Sequence, residues 1–259
     1  MDAALRFAGP QLGEFKLHQL KAAGSNGCLG DYFIYNAECL HAEARRYQHP
    51  TEYPFFGPLP APMLNSTSGS RTDSFVSESP ARATKRARTS GAADADPILA
   101  PVPREALVNT RLLETYRTKI VPKICEQGDC GNHGSTALQD LQCLQTISTR
   151  IYYGLFVAES KFRTETEKAT QLIKARDRDG LMAFITKPEV EVRNINRVIL
   201  KAKAFSQDIS SGDASQLHGE STHATSYKID AEFVGTVFRD YIMPLTKEVE
   251  VDYLLARLD

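Results

Sequence analysis

The sequence predicts an all-α protein, a single-domain helical bundle with long central helices. Over most of its 259 residues, apolar side chains recur every three or four positions, which is the spacing of one helix face. No segment shows the two-residue alternation of a β-strand, and no internal repeat of about 20–50 residues is present. A chain of this length can bury one sizeable helical core.

Composition and charge restrict the function classes. Hydrophobic residues make up 42% and charged residues 24%, which is ordinary for a globular protein. The net charge of −1 argues against a general binder of nucleic acid or membrane surfaces. No apolar run approaches the roughly 20 residues that span a bilayer. The five cysteines are odd in number and scattered, which favours a reducing compartment, so we expect a cytosolic protein.

The N-terminal residues 1–30 are weakly patterned, and we treat them as a segment preceding a helical domain over residues 31–259. A strong helix is predicted from about Asp31, because apolar residues share one face from there on. It should end at the pair Arg45-Arg46, where the helix dipole favours cations.

Residues 65–103 differ sharply from their flanks, being rich in small and polar residues and poor in large apolar ones. Such a segment cannot bury enough surface to order itself, so we predict a disordered loop inserted in the domain. Within it, the basic run 85–88, KRAR, resembles a nuclear localisation cluster. A nuclear interaction protein that uses this loop is therefore one alternative function.

The longest predicted helix runs from Gly134 to Phe162 without a proline, and Ser135 is its expected N-terminal cap. Its predicted inner face comprises Cys143, Ile147, Arg150, Gly154, Val157, Ala158 and Lys161. Arg150 and Lys161 lie three turns apart, about 16 Å along the axis. Either they enclose an anion, or both extend their charged ends to solvent.

Motifs for metal, phosphate or nucleophilic chemistry are weak. Cys125, Cys130 and His133 precede the long helix, but their spacing is not that of a zinc site and no fourth ligand is near. The chain has no phosphate loop, dinucleotide fingerprint or nucleophile elbow. We expect neither a metal nor a covalent mechanism.

Three further helices are predicted after the long one, together with a helical turn from Asp179 through Phe184. A short helix spans about residues 165–175, and the next begins with Pro188, whose missing N–H suits a first turn. Its buried side is expected to include Phe205. The final helix, Asp230–Leu258, should kink at Pro244.

Polar residues on these helices suggest an internal pocket. Glu191 lies at the edge of an apolar stripe, and Thr246 and Glu250 are one turn apart on the final helix. Each alone is more commonly a solvated residue. With Arg150 and Lys161, they could line a polar pocket inside the bundle that suits a small dianion with an ether or hydroxyl group.

Four segments carry a resemblance to a known family. They are GDCGNHGSTALQDLQCLQTISTRIYYGLFVAESKF, YIMPLTKEVEVDYLLARLD, ARRYQHPTEYPFFGPLPAP and ARDRDGLMAFITKPEVE. They resemble the eukaryotic, all-helical chorismate mutases, and the resemblance covers most of residues 31–64 and 104–259. The resemblance implies rearrangement of chorismate to prephenate in phenylalanine and tyrosine biosynthesis, by a homodimer that uses no cofactor.

The resemblance also implies which residues bind the substrate. Arg150 and Lys161 match the cations that bind its carboxylate and ether oxygen, and Glu191 matches the acid that holds its hydroxyl. The other implied substrate contacts are Val157, Lys187, Thr246 and Glu250. Lys187 occupies a position at which relatives have a different substrate-contacting residue.

A regulatory site is implied as well. Gly134 and Ser135 match its helix N-terminus, and Arg45 and Arg46 match the arginine pair that completes it across the dimer. Tryptophan or tyrosine is the implied effector. Leu138 occupies a position where regulated relatives carry threonine.

The N-terminus departs from the family pattern. The family's first helix carries an arginine for a substrate carboxylate, and residues 1–30 do not align with that helix. The alternative function is therefore a non-catalytic homologue, a dimeric partner or a sensor of aromatic amino acids. A truncated N-terminus would make a plastid location the alternative to the cytosol.

Overall fold

The computed structural model describes residues 28–63, 98–125, 131–206 and 229–259. All regular structure in these ranges is helical, as the sequence predicts. They form two compact units: the described residues up to Ile185 together with Leu245–Asp259, and the stretch Thr186–Pro244. Residues 1–27, residues 65–97 of the predicted loop with the basic run 85–88, and Cys130 lie outside the described residues.

The first unit contains most of the helices. Its α-helices are α1 (Leu29–Glu43), α2 (Asn109–Thr115), α3 (Val121–Ile124), α4 (His133–Tyr152), α5 (Gly154–Thr164), α6 (Thr166–Lys174) and α7 (Arg178–Ile185). Short 3₁₀ turns span Arg46–Gln48 and Arg104–Ala106. Helix α10 (Met243–Leu255) begins at the boundary between the units and lies mainly in the first. None of the described helices combines the length and the apolar character needed to cross a membrane.

The second unit contains α8 (Pro188–Ser206) and α9 (Ala231–Val237). Pro188 is the first residue of α8, as predicted. The two helices pack closely at Gly235, where a Cβ atom would lie 2.6 Å from Cγ1 of Ile199. Phe205 was expected on the buried side of α8, but it is 88% exposed, so that prediction is wrong.

The core of the first unit corrects the predicted inner face of the long helix. The buried side of α4 comprises Ala137, Asp140, Leu141, Leu144, Ser148, Ile151 and Tyr152. Cys143 and Arg150 are exposed instead. The large Leu, Ile and Tyr side chains bury more apolar area than the small residues on the predicted stripe, so they determine which side faces inward.

The long helix is also interrupted, which the sequence did not predict. Helix α4 ends at Tyr152 and α5 begins at Gly154, with Tyr153 as the turn between them. The backbone carbonyl of Tyr153 accepts hydrogen bonds from Phe156 at 3.2 Å and from Val157 at 3.4 Å. Tyr153 itself keeps dihedral angles of the right-handed helical region, with φ of −58° and ψ of −22°.

The expected N-terminal cap of the long helix is wrong. Helix α4 begins at His133, so Ser135 lies inside its first turn. The residue in the cap position is Asn132, whose side chain makes no capping hydrogen bond. The backbone carbonyl of Asn132 accepts a hydrogen bond from the backbone amide of Thr136 at 3.0 Å.

Two π-helical turns precede prolines. Residues Tyr116–Ile120 come just before Pro122, and Phe238–Ile242 come just before Pro244. A proline within a helix removes a donor and crowds the carbonyl four residues earlier, and a widened turn relieves that clash. The kink predicted at Pro244 therefore takes the form of a π-turn, and the sequence contained the same signal at Pro122.

Candidate functional site

The start of α5 lies directly against α10. Gly154 is buried, and a Cβ atom built on it would lie 2.9 Å from Cγ2 of Thr246. The same atom would be 3.0 Å from Cγ and 3.1 Å from Oε1 of Glu250. The structure thus brings the two predicted site residues of the final helix against the long α4–α5 segment. Glu250 is only 7% exposed.

Arg150, Val157 and Lys161 lie along the same segment. Arg150 is in the last turn of α4, about 6 Å before Gly154 along the axis, and Lys161 is about 10 Å after it. Arg150 is exposed and Val157 is 49% exposed. Both cations therefore lie within three turns of the point where Glu250 contacts α5.

Lys161 is held at the end of α7. Its Nζ donates a hydrogen bond to the backbone carbonyl of Phe184 at 2.5 Å. The same ammonium lies 4.8 Å from the centroid of the Phe184 ring. The carbonyl and this cation–π contact hold the Lys161 amine against Phe184 of α7.

Lys187 and Glu191 belong to the second unit. Lys187 is exposed and precedes the first residue of α8. Glu191 is half-buried in the first turn of that helix, and its backbone amide donates to the carbonyl of Lys187 at 3.1 Å. Carboxylates are favourable in a first turn because of the helix dipole.

A buried carboxylate two residues before Lys161 in the chain was missed by the sequence analysis. Glu159 of α5 is 3% exposed, and its Oε2 accepts from the Tyr253 hydroxyl at 2.6 Å and from Nε of Arg257 at 2.7 Å. Its Oε1 accepts from Nε of Arg163 at 2.7 Å. Burial alone would raise the pKa of Glu159, but these hydrogen bonds outweigh it and lower the pKa to about 2. Glu159 is therefore an ionised, fully engaged group.

Arg46 contacts the middle of α4. Its Nε lies 2.9 Å from Oε2 of Glu52, and its Nη1 donates to Oε1 of Gln145 at 2.9 Å. His41 of α1 approaches the same guanidinium at 3.5 Å. Burial and the charge of Arg46 lower the pKa of His41. This predicted effector residue is thus oriented by three side chains of its own chain.

The other predicted effector residues lie elsewhere. Gly134 and Ser135 are exposed in the first turn of α4, and Leu138 is 43% exposed one turn later. Ser135 is ten residues from Gln145, about 15 Å along the helix. One chain therefore does not bring Ser135 and Arg46 together.

Arg45 has an unusual backbone conformation. It follows α1 with φ of 66°, in the left-handed region that favours glycine. The predicted helix end at the arginine pair is wrong by about two residues, because α1 ends at Glu43. The left-handed residue is what turns the chain toward the 3₁₀ turn that carries Arg46.

A surface pocket of about 580 Å³ is lined by residues of both the predicted effector set and the predicted substrate set. Its lining comprises Arg46, Glu52, Gln142, Gln145, Thr146, Thr149, Arg150 and Tyr153. Arg46 belongs to the predicted effector set and Arg150 to the predicted substrate set. Thr146 could have been found from the sequence, since it lies four residues before Arg150 on the same helix face, whereas Glu52 carried no signal.

Metal ligands do not cluster in the described residues: no group of three or more His, Cys, Asp and Glu side chains converges there. The polar groups that the structure places at the start of α5 are the Thr246 hydroxyl and the Glu250 carboxyl, with Arg150 and Lys161 on either side along the α4–α5 segment. Such groups can orient an anion and stabilise charge that develops on it.

Comparison with known proteins gives consistent matches. The family model described as chorismate mutase type II matches residues 133–251. Chorismate mutase 1, chloroplastic, from Arabidopsis thaliana is 37% identical over 239 residues, which cover 91% of this chain and 63% of the relative. The chain thus spans less than two thirds of that protein. The chorismate mutase of Schizosaccharomyces pombe is 36% identical over 246 residues, covering 91% of this chain and 83% of the relative.

Solved structures show the same similarity. A crystal structure of AtCM1 with tyrosine bound in its allosteric site matches with a TM-score of 0.66 and 35% identity, covering 91% of this chain and 80% of that one. Aro7p chorismate mutase from Candida albicans, in complex with L-Trp, matches with a TM-score of 0.69 and 31% identity, covering 90% and 75%.

Proposed function

Because this chain belongs to the chorismate mutase type II family, we propose that it catalyses the rearrangement of chorismate to prephenate. The observation that carries the proposal is the contact of Glu250 and Thr246 with Gly154, between Arg150 and Lys161. This arrangement offers cations for a dianion and a carboxyl and hydroxyl beside them. The reaction is pericyclic, so it needs neither a nucleophile nor a base.

Each site residue has a role that its chemistry supports. Arg150 would bind a substrate carboxylate by a bidentate ion pair. Lys161 would donate to the ether oxygen and stabilise the negative charge that grows there as the C–O bond breaks. Glu250, when protonated, would add a second donor to that oxygen. Holding the substrate folded supplies much of the remaining acceleration.

The family resemblance also implies substrate contacts at Val157, Lys187 and Glu191, and we propose a role for each. Val157 would give the apolar contact with the ring, and Glu191 would accept from the substrate hydroxyl. Lys187 would contribute a further positive charge for a carboxylate. The family membership and the half-buried position of Glu191 support these assignments.

The test is the disappearance of chorismate in the presence of the purified chain. We expect turnover, and we expect Arg150→Ala to lower kcat/KM at least 100-fold, since one carboxylate contact is lost. Arg104→Ala is the control, because Arg104 is exposed on a 3₁₀ turn remote in sequence from these residues.

A folded protein without turnover would contradict the proposed chorismate mutase activity. If that protein still bound an aromatic amino acid, the non-catalytic sensor would be the better description. Equal activity of the Arg150 and Arg104 variants would instead remove Arg150 from the site. The expected cytosolic location stays a prediction.

We also propose that tyrosine or tryptophan regulates the enzyme at a site formed by two copies of the chain. Gly134 and Ser135 of one copy would bind the amino acid's carboxylate at the first turn of α4, where free amides point outward. Arg45 and Arg46 of the second copy would complete the site. The separation of about 15 Å between Ser135 and the Arg46 contact on α4 supports an arrangement across a homodimer.

A further inference from the structure

Three residues at the C-terminal end of the chain face α5. Glu250 and Tyr253 are three apart on α10, so their side chains share one face, and Arg257 lies in the turn that follows the helix. Glu250 contacts Gly154 at the start of α5, and Tyr253 and Arg257 both bond to Glu159, five residues further along that helix. The two contacts are about 7.5 Å apart along α5, so they set how far α10 is displaced along it.

The second contact, at Glu159, is formed by several directed hydrogen bonds. The Glu159 carboxylate accepts from two arginines and a tyrosine, with Arg257 bonding through both Nε, at 2.7 Å, and Nη2, at 3.1 Å. Arg257 also lies 4.7 Å from the centroid of the Phe162 ring. A buried ion pair with this many directed bonds fixes geometry more than it adds stability.

The network continues to the segment that precedes α2. The Tyr253 hydroxyl accepts from the backbone amide of Ala100 at 3.0 Å, and Arg163 donates to the carbonyl of Ile98 at 2.9 Å. Tyr253 is fully buried. Both bonds help to hold the donors of Glu159 in place.

We propose that Glu159, through Tyr253 and Arg257, is a positioning residue for the rearrangement. It sets the register of α5 against α10 and thereby places Lys161, two residues along α5, relative to Glu250. It does not touch the substrate. The inference rests on the proposed function, in which Lys161 and Glu250 act on the same ether oxygen.

The size of the effect follows from the geometry of that oxygen. Two donors must reach one atom at hydrogen-bond distance, so a slip of about 1 Å between the helices removes one of them, and misplacements of this size cost about 100-fold in rate. Glu159→Gln provokes such a slip, because the new amide NH₂ faces donors where the carboxylate accepted them. We expect the transition state to be affected more than the bound substrate.

The experiment compares the steady-state kinetics of the wild-type chain and Glu159→Gln with chorismate, at a temperature where circular dichroism shows both folded. We expect kcat to fall at least 10-fold with KM changed less than threefold, since a positioning defect acts on the transition state. Glu167→Gln is the matched control, because Glu167 is exposed on α6. It should keep both constants.

Tyr253→Phe is the second variant if Glu159→Gln does not fold. It keeps both arginine contacts and removes the two hydrogen bonds of the hydroxyl, the one donated to Glu159 and the one accepted from Ala100. We expect kcat to fall at least threefold while the fold is retained. A folded variant with wild-type kcat, or with a change confined to KM, overturns the inference while the activity stands. A wild-type chain without turnover overturns the proposed function and this inference together.

Discussion

At the scale of single residues, Gly154 has no room for a side chain. A Cβ atom would lie 2.9 Å from Thr246 and 3.0 Å from Glu250. The glycine therefore determines how closely α10 approaches α5. It also determines the position of the Glu250 carboxyl relative to α5.

We predict that Gly154→Ala lowers both stability and turnover. The added methyl must displace Thr246 and Glu250, and overpacking of this kind costs about 1–3 kcal/mol. Urea unfolding and chorismate assays measure the two effects. Gly134→Ala is the stability control, because a Cβ there meets nothing within 4 Å. Equal unfolding free energies for the two variants would contradict the prediction.

Glu38 is a second residue with a specific consequence. It is fully buried in α1, and its carboxyl oxygens accept from the backbone amides of Phe55 at 2.7 Å and Phe56 at 3.0 Å. Burial raises its pKa from 4.5 to about 7, although the two amides and Arg46 favour the ionised form. The folded protein thus keeps a proton that the unfolded chain releases.

We therefore predict that the free energy of unfolding falls as the pH rises from about 4.5 to about 7, because the folded state binds more protons in this window. Denaturant unfolding at a series of pH values measures the slope. Glu38→Gln should remove this contribution, whereas Glu43→Gln, on the same helix, should retain it. Parallel pH profiles for wild type and Glu38→Gln would show that Glu38 is not the source.

At the scale of the elements, the pair α5 and α10 depends on the Glu159 carboxylate. Its pKa is lowered from 4.5 to about 2, so the folded state holds it ionised where the unfolded chain would protonate it. The stabilisation is present above about pH 4.5 and is lost as the pH falls toward 2. Its size is about 3 kcal/mol.

We predict that the free energy of unfolding of Glu159→Gln falls less than that of wild type as the pH drops through this window, because the variant has no carboxyl at this position to protonate. Thermal denaturation between pH 2 and pH 5 measures the difference. The expected slope is opposite in sign to that of Glu38, so the two carboxyls can be separated in one pH series. A Glu159→Gln variant that loses stability below pH 4.5 as steeply as wild type would contradict this role.

At the scale of the whole molecule, the proposed effector site requires two copies of the chain. Arg46 is held at the middle of α4 by Gln145 and Glu52, while Ser135 lies at the start of that helix. An isologous dimer contains each pairing twice.

We predict complementation between two defective chains. Arg46→Ala and Ser135→Asp should each abolish the response to tyrosine or tryptophan in a homodimer. A refolded equal mixture should regain it in about a quarter of the sites, since half of the dimers are mixed and carry one intact site. Chorismate turnover with and without the amino acid measures the response. A mixture with no response would place both groups in one chain or exclude this site.

Several features followed from the sequence alone. Helical class, the start of α8 at Pro188 and the pairing of Thr246 with Glu250 on one helix face depend on local periodicity and local backbone chemistry. A proline fixes its own φ wherever it occurs, and residues four apart on a helix are neighbours in any fold. The family match likewise reflects residues read in order along the chain.

Other features were decided by tertiary structure. The buried face of α4, the break at Tyr153 and the exposure of Phe205 depend on which large side chains find partners across elements. Glu159 drew no notice in the sequence, because its three donors come from Arg163, Tyr253 and Arg257, two of them more than 90 residues away. Periodicity reports which residues share a face. Only the packed helices determine what that face meets.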